Sequence, residues 1–94
     1  LLLAFALLLP AAVQAQELNA VRSLAATCAN CHGTNGVSRG EVPSLAGAAA
    51  EATIAKMAGY KSGALPATVM HQIAKGYTDA EIAAMADHFS KQAR

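Results

Sequence analysis

The chain has no tryptophan, and aromatic residues make up only 4% of it. Beyond its first 15 residues the aromatic side chains are Tyr60, Tyr77 and Phe89, and many of the apolar residues are alanines, which bury little surface each. A core assembled from these side chains alone is thin. Charge is also scarce, with seven basic and six acidic residues, a net charge of +1 and no block of one sign. That balance gives no support to nucleic-acid binding. The cysteines are Cys28 and Cys31 and no others, so a disulfide would close a loop too short to restrain the unfolded chain. No stretch alternates apolar and polar residues over a useful length, which removes sheet-based classes.

The first segment, LLLAFALLLPAAVQA, is uncharged, contains Pro10 and ends in Val13-Gln14-Ala15, with small residues where a signal peptidase reads. Residues 1–15 are expected to be a signal peptide whose basic start is missing ahead of Leu1. The run is short of the roughly 20 apolar residues of a spanning helix, and no basic stop-transfer cluster follows, so a retained anchor is the weaker reading. Cleavage leaves residues 16–94 as one domain in the periplasm, about 80 residues long, a size at which an apolar core needs supplementing.

Along that domain, Asn19 is a candidate cap for a helix over Ala20–Ala29, with Val21, Leu24 and Ala25 on one face. Four glycines, Pro43 and small polar residues predict an irregular loop over Gly33–Gly47. A second helix is expected over Ala48–Lys61, with Ala50, Ile54, Met57 and Ala58 on one side and Gly63 just past its end. Pro66 and Gly76 bracket a short helical turn over Val69–Ala74. Thr78 and Glu81 in TDAE form a capping box for a last helix, whose apolar stripe is Ile82, Met85, Ala86 and Phe89.

The residues with chemistry are CANCH, Cys28 to His32. Two thiols separated by two residues and followed by histidine have the spacing of c-type haem attachment. One helical turn carries Cys28 and Cys31 to the two vinyl groups of a porphyrin, and His32 turns beneath the plane as an iron ligand. A thioredoxin-like redox pair needs a βαβ sheet that this sequence does not encode. A zinc site needs four ligands drawn from Cys28, Cys31, His32, His71 and His88, and adjacent Cys31 and His32 suit a tetrahedral ion poorly. Neither alternative fills the thin core, whereas haem adds a large apolar body.

The second axial ligand decides between electron carriage and chemistry on a small molecule. Met85 and Met57 lie in helical stripes and read as packing residues. Met70, between Pro66 and the last helix, is the candidate; His71 beside it, giving bis-histidine iron, and an open position are the alternatives. His88 reads as a solvated residue near a helix end. Pro43 is placed for its carbonyl to accept the second ring N–H of His32, or else simply stiffens its loop.

CHGTNG, PSLAG and ATVMHQIAKGY, in that order, resemble the small class I c-type cytochromes of bacteria, and most closely the monohaem cytochrome subunits of flavocytochrome c sulfide dehydrogenases. The resemblance covers about Leu24 to Gln92. It implies an all-α fold of three main helices around one covalent haem c, with Cys28 and Cys31 attached, His32 and Met70 on iron, Pro43 holding His32, and Tyr77 packed near the haem. It further implies a one-electron carrier, not an enzyme by itself, that accepts electrons from a sulfide-oxidising flavoprotein. A free cytochrome shuttling between respiratory complexes, with Lys56, Lys61 or Lys75 as rim charges, is the alternative reading, and an open-site haem enzyme or gas sensor is a third. Two departures stand out: AAAEA after PSLAG is poor in bulky residues, and there is a single CxxCH.

Overall fold

The best-signalled element is also the one on which the others rest. In a computed structural model, which describes residues 11–94 except for the side chains of 12–15, the last helix spans Asp79–Ser90. Its start is fixed by two reciprocal bonds: the Glu81 N–H donates to Thr78 Oγ1 at 3.1 Å, and the Thr78 N–H donates to Glu81 Oε1 at 2.8 Å. The expected stripe faces inward, with Ile82, Met85, Ala86 and Phe89 all buried. Each of the three large ones contributes about 1.5–3 kcal/mol by leaving water.

Three helices precede it: α1 (Ala11–His32), α2 (Ala50–Ser62) and α3 (Met70–Lys75), with the last helix as α4 and a 3-10 turn over Thr34–Gly36 after α1. No strand occurs among the described residues, and the architecture is all-α as expected. α1 packs on α4, and α2 packs on both α3 and α4. Ala25 of α1, Ala46 and Ala74 of α3 complete the buried apolar set around the α4 stripe.

α1 is longer than the sequence suggested. It runs for 22 residues and passes straight through Asn19, which therefore does not cap it. Between Ala11 and His32 there is neither glycine nor proline, and the asparagine at position 19 costs a helix rich in alanine only about 0.5 kcal/mol. Its upstream end falls inside the segment expected to be a signal peptide, of which residues 1–10 lie outside the described residues. α2 begins at Ala50 and not Ala48, because Ala49 at its N-cap makes no side-chain bond and leaves the boundary unmarked. No helix among the described residues is long and apolar enough to cross a membrane.

Candidate functional site

CANCH forms the last turn and a half of α1. Residues three and four apart share a helix face, so Cys28, Cys31 and His32 are gathered on one side of its end. Cys28 is half-buried and Cys31 exposed, and both are free thiols. Burial pushes the Cys28 thiol up from its ordinary value, with the neighbouring Thr27 hydroxyl offsetting part of the rise.

The chain turns away from His32 at Gly33, whose φ of 88° and contact with Val37 leave no space for a side chain. The loop then comes back beneath the imidazole. His32 Nδ1 lies 2.6 Å from the carbonyl oxygen of Pro43. A carbonyl only accepts, so Nδ1 carries the proton and donates, which leaves the Nε2 lone pair free for a metal. This is the bond anticipated for Pro43.

That carbonyl is held in place by the loop's own bonds. The N–H groups of Leu45 and Ala46 both donate to the Gly36 carbonyl, at 2.7 and 3.1 Å, and the Gly47 N–H donates to Phe89 O at 2.9 Å. Ser38 N–H donates to Ser44 Oγ at 2.9 Å. Gly36 itself is buried with φ 79°, and a β-carbon there would sit 2.8 Å from the Phe89 ring. The buried end of α4 thus supports the loop that supports His32.

Met70 is the first residue of α3 and is half-buried. No hydrogen bond links it to His32 or to either cysteine. Its neighbour His71 has an Nδ1 that is buried without a hydrogen-bond partner among the described residues. Tyr77 is half-buried, and its hydroxyl lies 2.6 Å from Thr27 Oγ1, one residue before Cys28. Sequence reasoning missed Thr27, for which no local signal exists. Met85 is buried in the α4 stripe, in keeping with a packing role, and His88 is half-buried edge-to-face on Phe89 instead of solvated, with ring centres 5.4 Å apart.

The surroundings suit a large, flat apolar group. α2 contributes no buried residue. Ile54 on α2, Val42 beside Pro43, and Leu65, Val69 and Ile73 around α3 are large apolar side chains 38–55% exposed. Large apolar side chains left uncovered by protein are what the faces and rim of a porphyrin require. Among the described residues no three His, Cys, Asp or Glu side chains cluster as a metal site, so the zinc reading lacks its ligand set. Iron in a porphyrin brings four nitrogens of its own and needs only axial protein ligands.

The sequence model of the family described as "Cytochrome C oxidase, cbb3-type, subunit III" matches residues 15–89. The chain is 41% identical over 66 residues to the cytochrome subunit of sulfide dehydrogenase of Chlorobaculum tepidum, an alignment covering 70% of this chain and 60% of the relative. The chain thus matches over less than two thirds of that relative's length. Because the family match runs from within α1 almost to the end of α4, the helical framework just described is accounted for, and the chain belongs to this family of haem-binding c-type cytochromes.

Proposed function

We propose that the chain is an exported, periplasmic carrier of single electrons on one covalent haem c. Cys28 and Cys31 make the attachment: each thiol adds its sulfur and its hydrogen across a vinyl double bond, so both must be reduced and no oxidant is consumed. His32 and Met70 would hold the iron of that haem, with His71 the alternative to Met70. When bound, the haem supplies a reversible one-electron couple. The chain's part would be to offer both His32 and Met70 to the metal, so that little moves during transfer, and to exclude water from its surroundings. A thioether favours the reduced metal and raises the potential, and apolar side chains disfavour the added charge of the oxidised state.

The observation that carries this reading is the 2.6 Å contact between His32 Nδ1 and Pro43 O immediately downstream of CANCH. An imidazole oriented by a backbone carbonyl, with Nε2 free, is prepared to ligate a metal. A donor in keeping with the relative's printed name is a sulfide-oxidising flavoprotein, which would hand over electrons singly from its reduced flavin. Residues 1–15 would serve as the export signal and be removed near Gln16.

The test is expression in a host that matures c-type cytochromes, with recovery from the periplasm. We expect the mass of the chain from Gln16 plus one haem, a far-red band in the ferric protein that disappears in Met70→Ala, and reduction by a co-purifying flavoprotein. A colourless, compactly folded product of unmodified mass overturns the haem attachment. Ready carbon monoxide binding by the untreated ferrous protein points to an open-site haem protein, and reduction without any flavin-bearing companion points to a free shuttle.

A further inference from the structure

The segment that carries Met70 is joined to the helix that carries CANCH by one hydrogen bond. Tyr77 Oη and Thr27 Oγ1 are 2.6 Å apart, and among the described residues no other hydrogen bond links α1 to residues 63–78. Its direction follows from counting protons. Thr27 donates its single hydroxyl proton to Leu24 O at 2.7 Å, so the Tyr77 phenol donates and Thr27 accepts.

Tyr77 is also tied to α3 through its backbone. Its N–H donates to Ala74 O at 3.3 Å, and the Gly76 N–H donates to Ile73 O at 3.0 Å. Ala74 is fully buried. Met70 through Tyr77 is therefore one hydrogen-bonded unit, anchored at its Tyr77 end to the residue before Cys28. At its other end residues 66–68 make no hydrogen bond among the described residues, so beyond the Tyr77 anchor the unit is held by the packing of α3 on α2.

We infer that Tyr77 is a positioning residue for the distal ligand. Its hydrogen bond to Thr27 fixes how closely the Met70 unit is held to the end of α1, and so how often the thioether leaves iron. The inference rests on Met70 as the axial ligand. No atom is transferred: methionine departs, and an added ligand takes the coordination position it held.

The experiment uses ferric holoprotein and free imidazole as the incoming ligand. Loss of the far-red band in Met70→Ala is checked first. Imidazole binding is then timed in wild type, Tyr77→Phe, Thr27→Val and the double variant. Each single variant keeps the band and binds imidazole roughly fivefold faster, the effect of losing one neutral hydrogen bond. The double variant is no faster than either single one, because both remove the same interaction. Ala86→Gly, which weakens the interior of α4 and touches none of the residues assigned to the site, leaves the rate unchanged, separating positioning from general loosening. Should Tyr77→Phe not fold, Thr27→Val still removes the acceptor from an exposed position. Wild-type protein without the band, or a band that survives Met70→Ala, overturns Met70 ligation and this inference with it. A proper band with wild-type rates in the single variants, or rates that add in the double variant, overturns this inference alone.

Discussion

The two sides of the site are built differently. The proximal side, from Cys28 to Gly47, is a turn and a loop cross-braced by the chain itself: His32 on Pro43, Leu45 and Ala46 on Gly36, and Gly47 on Phe89. The distal side, from Gly63 to Tyr77, has a six-residue helix, three exposed large apolar side chains and a run from Pro66 to Thr68 without hydrogen bonds among the described residues. A histidine ligand gains from a fixed ring orientation, since its basicity and tautomer depend on the second nitrogen's partner. A thioether has no such requirement, so the distal side needs only to be held at the right reach. The contrast teaches that the proximal geometry is set by a mesh of hydrogen bonds, whereas the distal segment is held by the packing of α3 on α2 and by the single Tyr77 bond.

The largest effect should come from removing that group's attachment. In Cys28→Ala/Cys31→Ala, made in a maturation-competent host, no covalent haem forms. Both sides are affected, but unequally: protection from amide exchange is lost first across residues 63–77, and helical circular dichroism falls with it. Equal protection of both segments without haem would break the contrast.

Gly36→Ala attacks the proximal brace alone. The new methyl meets the Phe89 ring at 2.8 Å and the Ala46 nitrogen at 3.0 Å, at a φ of 79° that alanine tolerates poorly. Overpacking and backbone strain together predict a loss of about 2–4 kcal/mol in denaturant unfolding. A loss under about 0.5 kcal/mol, the level of an ordinary surface change, would mean that the loop yields and does not set the position of Pro43.

Much of this organisation could be read from the sequence, and the exceptions have physical causes. The α4 cap was legible because Thr78 and Glu81 are three residues apart and act on each other directly. The bond between His32 and Pro43 was legible because a histidine expected to ligate a metal needs a nearby acceptor for its second ring nitrogen. Asn19 misled because a capping residue stops a helix only where the next residues have a better alternative, and the alanine-rich stretch before it has none. The α2 stripe was read as a core face, yet Ile54 is 38% exposed and nothing on that helix is buried. Periodicity reports that a face is apolar and is silent on whether protein covers it. Thr27 with Tyr77, and Gly36 with Phe89, are contacts between residues some 50 positions apart, where single-sequence patterns carry no information.

Met70→Ala should act on the distal side with little consequence for the proximal one. The fold persists while haem remains attached to α1, the reduction potential falls because the thioether no longer favours ferrous iron, and carbon monoxide binds readily. Potentiometry on purified holoprotein measures the fall. An unchanged potential would reassign the distal position, with His71 next in line.

The smallest effect provides the ruler for the others. Thr78→Ala removes an acceptor at the start of α4, which packs on both α1 and α2, at the end of the helix opposite the Phe89 contact with the proximal loop. Losing such a cap costs about 1 kcal/mol, which for a domain this small lowers Tm by roughly 4–8 °C. Because α4 supports the two sides together, stability should drop while the potential and the far-red band stay where they were. The result discriminates because Tyr77 is the adjacent residue: a change in the band or in imidazole binding would show that the α4 cap, and not the bond to Thr27, holds the distal segment in place. Unchanged optical properties at a lowered Tm would place control of the distal ligand upstream of Thr78, in the unit that Tyr77 closes.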